Sequence, residues 1–70
     1  MLNDAAKKLV ARAARAAAKE NKDRVALGAN VDQLAGEAWR AACAQNPDFV
    51  RWTSAQNYFD TIFYNEIERD

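Results

Sequence analysis

Five cations recur along the first third of the chain at a helical interval: Lys8, Arg12, Arg15, Lys19 and Lys22, separated by four, three, four and three residues. At roughly 100° per residue, that spacing draws them onto one side of a helix, each about one turn from the next. A row of fixed positive charge suits an acidic protein surface or the phosphates of a nucleic acid. The solvated back of an amphipathic helix carries the same pattern. Only Asp4, four residues before Lys8, offers the row an obvious carboxylate along its own helix.

The other side chains with chemistry to offer are few. The chain contains no histidine, so the commonest general base and metal ligand is missing. The single cysteine, Cys43, has no imidazole to activate it and lies beside an apolar helix face, which points to an inert thiol. One cysteine makes neither a disulfide framework nor a thiolate metal site. Glycines at 28 and 36 alone cannot form a phosphate-cradling loop. Asp60, Glu66, Glu68 and Asp70 read as the solvated acidic face of a terminal helix. We expect no catalysis, no cofactor and no metal. Two aromatics add to the basic row as candidate partner contacts: Trp39 at the edge of its helix, and Tyr64 among Asn57, Asp60 and Glu68. Exposed rings of this kind often anchor protein interfaces.

Composition narrows the class further. Half of the 70 residues are hydrophobic, but 16 of those 35 are alanine. Six of the seven aromatics fall between residues 47 and 67, so a core must condense around the C-terminal rings. Seventy residues make one domain, near the lower end of what folds unaided. The net charge of zero hides a division. Residues 1–24 carry seven basic and three acidic groups, a net +4, and residues 25–70 carry three basic and seven acidic groups, a net −4. The polar N-terminus is not that of a signal peptide, and no apolar run is long enough to span a membrane; with a lone cysteine, this predicts a soluble, cytoplasmic chain.

The elements that must position these residues are helices. Asn3 or Asp4 can cap a first helix over about 4–21, rich in alanine, lysine and arginine. Its apolar side reads as Leu2, Ala6, Leu9, Ala13 and Ala17, with Val10 at the edge. Residues 21–30 form the connection: Asn21 stops the helix, Gly28 marks a turn, and Val25 and Leu27 pack down. Asn30 with Gln33 is a capping-box arrangement opening a second helix over 31–45. Val31, Leu34, Ala35, Ala38 and Ala42 form its main face, widened by Trp39 and Cys43. Gly36, one turn before Trp39, leaves room for that ring to lie over bare backbone. Asn46–Pro47 is an N-cap followed by proline at the first helical position, opening a short helix over 47–52. Thr53 with Gln56 can cap a last helix over 54–68, with Ala55, Phe59, Ile62 and Phe63 inward and Asn57, Asp60, Thr61, Tyr64 and Glu68 outward. The steps from the second helix into 48–57 resemble a helix-turn-helix frame, whose recognition helix would carry Asp48, Arg51, Thr53 and Gln56.

The resulting expectation is an all-α fold, a small orthogonal or up-down bundle of three main helices with a short extra one, in a single domain spanning 1–70. Its function reads as a non-enzymatic protein–protein interaction module, a small regulator, inhibitor or adaptor of accessory or phage type. It would meet an acidic partner surface through Lys8, Arg12, Arg15, Lys19 and Lys22. Nucleic-acid binding through the same row is the alternative, and a homodimer pairing basic with acidic halves is a third partner choice. A membrane is not among them.

Overall fold

Asn3 stands in extended backbone and its Oδ1 accepts the amide of Ala6 at 2.8 Å, satisfying one of the orphan donors that open every helix. From that cap the computed structural model, which describes residues 2–69, carries α1 without interruption over Asp4–Ala26. The helix is five residues longer than the alanine-rich stretch predicts. Asn21 does not stop it, because its Nδ2 donates to the Ala17 carbonyl at 2.7 Å within the helix while its Oδ1 accepts from Arg24. The end comes at Gly28, which takes φ +98°. The amide of Gly28 bonds the Val25 carbonyl and that of Ala29 bonds the Arg24 carbonyl, the paired bonds of a Schellman motif. Val25 packs against the core, whereas Leu27 is 89% exposed and does not pack down.

The second helix, α2, spans Val31–Gln45 as expected, with Asn30 Oδ1 accepting the Gln33 amide at 3.0 Å. Gln33 does not complete the capping box, since its side chain reaches Glu37 instead. Nor does Trp39 lie over Gly36: a side chain built there would meet only an Arg40 guanidinium nitrogen at 3.9 Å. A 3-10 turn over Pro47–Arg51 follows. Asn46 does not cap it. Its side chain turns back to the Ala42 carbonyl at 3.3 Å and closes α2. The chain then breaks at Trp52, which is extended, and Ser54, which adopts left-handed φ 71°. The last helix, α3, covers Ala55–Glu68 with Ser54 rather than Thr53 at its N-cap position and no side-chain cap bond.

These pieces form an all-α bundle of three helices, with no strand among the described residues. Cross-helix pairs give its direction. Leu2 shares a concavity with Ser54 and Asn57, Arg15 reaches Glu66, and Lys22 reaches Arg69, so α1 and α3 run parallel. Asp32 meets Tyr64 and Trp39 meets Phe59, so α2 runs antiparallel to both in the up-down sense. The most extensive helix contact is that of α1 with α3.

The C-terminal rings supply the interior. Phe49, Phe59 and Phe63 are fully buried, and six rings touch in sequence: Trp52–Phe49 at 5.5 Å, Phe49–Trp39 at 6.1 Å, Trp39–Phe59 at 5.4 Å, Phe59–Phe63 at 6.2 Å and Phe63–Tyr64 at 6.1 Å. Offset and edge contacts of this kind add roughly 0.5–1.5 kcal/mol each beyond the area they bury. Against them α1 presents Ala6, Val10, Ala14 and Ala18, all buried, whose short side chains let the helix axis come close. This face is turned one residue from the expected one: Leu9 is 46% exposed, and Ala13 and Ala17 are only half-buried. On α3, Ile62, Asp60 and Tyr64 are half-buried, so Asp60 and Tyr64 do not face solvent as expected.

Candidate binding surface on the first helix

The buried line Ala6–Val10–Ala14–Ala18 holds α1 to the core by one side and thereby turns the basic row outward. Lys8, Arg12, Arg15 and Lys19 are exposed and Lys22 is half-buried. The row is not uniform along its length. At its C-terminal end, α3 answers it: Lys22 Nζ donates to the Arg69 carbonyl at 2.7 Å, and Arg15 Nε stands 4.0 Å from Glu66 Oε1. Glu66 is held closer by Arg69, at 3.2 Å, so Arg15 is the weaker claimant on that carboxylate. Exposed pairs of this type contribute about 0–1 kcal/mol. Lys8, Arg12 and Lys19 form no ion pair among the described residues.

At the other end of α1 the row borders a concavity of about 570 Å³ between α1 and α3. Lys7, Lys8, Arg12 and Arg15 stand around it, Ala11 and Tyr58 form its floor, and Asp4 is the one carboxylate at its lip. Sequence reasoning missed Lys7 and Tyr58 here. On the helix alone Lys7 lies to the side of the row, and only the approach of α3 makes it the second wall. Nothing in the sequence marks Tyr58; in the fold it is the one aromatic absent from the contiguous chain of rings, although it packs at the edge of the core.

Trp39 and Tyr64 stand apart from the row. Trp39 is half-buried between Phe49 and Phe59. The Tyr64 hydroxyl donates to Asp32 Oδ1 at 2.5 Å, joining α3 to α2. That hydrogen bond, with burial and the charges of Asp32 and Asp60, pushes the phenol up to about 12. Asp60 has an Oδ1 that is buried with no hydrogen-bond partner among the described residues, and burial pushes its carboxyl up. The Cys43 thiol is half-buried and likewise pushed up, away from the reactive thiolate. No three histidine, cysteine or acidic side chains gather as a metal site among the described residues, and no helix there is long and apolar enough to cross a membrane.

The helix-turn-helix reading lacks its second helix. Asp48 and Arg51 pair with each other at 3.5 Å on the 3-10 turn, Thr53 lies in the break, and Gln56 belongs to α3. No protein-family model matches the chain, and comparison with curated proteins and with solved structures finds no match to it.

Proposed function

We propose that this chain is a non-enzymatic interaction module, a small regulator or adaptor that engages an acidic surface of another protein through Lys8, Arg12, Arg15, Lys19 and Lys22. The observation that carries the reading is the exposure of this row on α1, with Lys8, Arg12 and Lys19 lacking any ion pair among the described residues. A helix needs no such row for its own stability. Lys7 and Lys8 stand near the positive end of the α1 dipole, where cations are mildly unfavourable. Trp39 and Tyr64, each bound into the molecule by ring contacts or the Asp32 bond, assist at most from their exposed edges.

Charge complementarity chiefly speeds encounter and selects partners. The double variant R12E/R15E should therefore lose capture of the partner from a host lysate while its far-ultraviolet circular dichroism stays helical. Unchanged capture would remove the row from the function. A duplex-binding protein using the same five cations would instead lose affinity steeply with salt, with a log–log slope near −0.9 per phosphate contact. The acidic half of the chain opposes that reading, since a long polyanion on α1 would meet Glu66, which stands 4.0 Å from Arg15.

A further inference from the structure

We propose that the acidic partner docks as a helix, laid antiparallel to α1 and α3 in the groove whose walls are Lys7, Lys8, Arg12 and Arg15 and whose floor is Ala11 and Tyr58; this rests on the protein-binding reading above. Four observations select that occupant.

The cations are spread rather than converged. Lys8, Arg12 and Arg15 are separated by four and three residues, about 10 Å of helix from first to last. A helix lying alongside presents its residues i, i+3 and i+7 at the same rises, so three carboxylates one turn apart meet three cations. A single dianion would meet only one or two of them. The patch is also bounded: Asp4 stands at one end and Glu66, beside Arg15, at the other. A nucleic-acid backbone longer than this span would run into both carboxylates, whereas a short acidic helix face would not.

The parallel course of α1 and α3 supplies the third observation. Leu2, at the start of α1, lines the same concavity as Ser54 and Asn57 at the start of α3, and Lys7 and Tyr58 belong to it as well. Two helix N-termini therefore add their partial positive charge at the end of the groove where the unpaired cations stand. An incoming helix is best placed with its negative C-terminal end there, which makes it antiparallel. The fourth is Tyr58. Its ring lies on the groove floor beside Ala11, outside the core chain of rings, and offers an apolar surface to an aliphatic side chain set between the carboxylates. Walls of charge around a small apolar floor are the usual division of an interface into rim and centre.

The probe is a fluorescein-labelled, alanine-based helical peptide with glutamates at i, i+3 and i+7 and a leucine between them. Its control is an isomer of the same composition with the glutamates spread around the helix. Binding to the full chain is read by anisotropy at about 20 mM and about 200 mM salt, since these exposed charges are screened over roughly a Debye length. The ordered peptide should bind, with the isomer at least about tenfold weaker, and K8E/R12E should weaken the ordered peptide about tenfold or more. Lys7→Glu and Tyr58→Ala should each weaken it severalfold. R40E/R51E, which changes net charge equally but lies off α1, should leave it within about twofold. Lys7 is exposed, so its reversal tests the groove even if Tyr58→Ala disturbs folding. Loss on K8E/R12E with no effect of Lys7→Glu, of Tyr58→Ala or of scrambling would overturn the groove and leave the acidic-partner reading standing. Equal loss on R40E/R51E would reduce the attraction to overall charge and overturn it also. No binding of either peptide, or no effect of K8E/R12E, would overturn both readings.

Discussion

Asp60 shows how one side chain can work against the fold that holds it. Its Oδ1 is buried without a hydrogen-bond partner among the described residues, and burial raises the carboxyl above its ordinary value. A group whose folded pKa is raised favours its protonated form in the native state. Stability therefore falls as pH rises from the ordinary carboxylate range, near 4, through the raised folded value. Asp60→Asn removes the charge and keeps the shape. We expect the variant to be more stable than the parent at pH 7 and to lose that advantage near pH 3, as followed by urea unfolding at the two values. An advantage that did not shrink on acidification would assign the effect to something other than this titration. Periodicity placed Asp60 on the outer face of its helix. What brings its oxygen out of water is the packing around α3, which no spacing along one helix reveals.

At the scale of elements, the two glycines make opposite cases. Gly36 lies inside α2, where a Cβ would meet only Arg40 at 3.9 Å, an ordinary contact. Gly36→Ala should raise stability by about 0.5–1 kcal/mol through helix propensity alone. Gly28 has open space around it but holds φ +98°, where an L side chain is strained. Gly28→Ala should lower stability by about 1 kcal/mol or more and loosen the end of α1. Thermal unfolding of the two variants beside the parent settles both signs. The same motif explains the length of α1. Asn21 is a poor helix residue in isolation, but hydrogen bonds to Ala17 and Arg24 keep it helical until the Schellman turn ends the element. The second helix was legible to the residue because both of its ends carry strong signals, a side-chain cap at Asn30 and the Asn46–Pro47 step. The start of α3 was not, because Ser54 stands at the N-cap position in left-handed backbone with no side-chain cap bond, which leaves no cap signal to read.

For the whole molecule, the decisive fact is that a few rings carry an alanine-rich bundle. Phe59 is fully buried and touches both Trp39 and Phe63. Its replacement by alanine should cost about 3–5 kcal/mol, a large share of what so small a domain has in hand. We expect Phe59→Ala to be largely unfolded at room temperature by circular dichroism, whereas Leu27→Ala, at a position 89% exposed, should stay within about 0.5 kcal/mol of the parent. A folded Phe59→Ala would mean that the alanine contacts of α1 hold the bundle without the ring. The charge division between the halves also has a molecular outcome. Part of it closes on itself toward the shared C-terminal end of α1 and α3, where Arg15 faces Glu66, and the part left open stands at their common beginning.

Local chemistry alone was enough for the helical class, the three main elements, their caps at Asn30 and near Asn3, the aromatic interior and the cationic row, because each depends on residue type and short-range spacing. The phase of α1 could not be read in the same way. Alanine occupies both candidate faces, and the two larger side chains mid-helix, Leu9 and Val10, are adjacent in sequence and fall one on each. The rings of α3 made that choice by drawing in Ala6, Val10, Ala14 and Ala18 and leaving Leu9 half outside. The parallel course of α1 and α3 was equally out of reach, since it depends on α2 returning the chain through the full length of the bundle. From that course follow the groove at Lys7 and Tyr58, the company of two helix N-termini, and the contacts that α3 makes to Arg15 and Lys22 but not to Lys8, Arg12 or Lys19. Charges are written in the sequence; which of them remain without a partner is settled only when the helices pack.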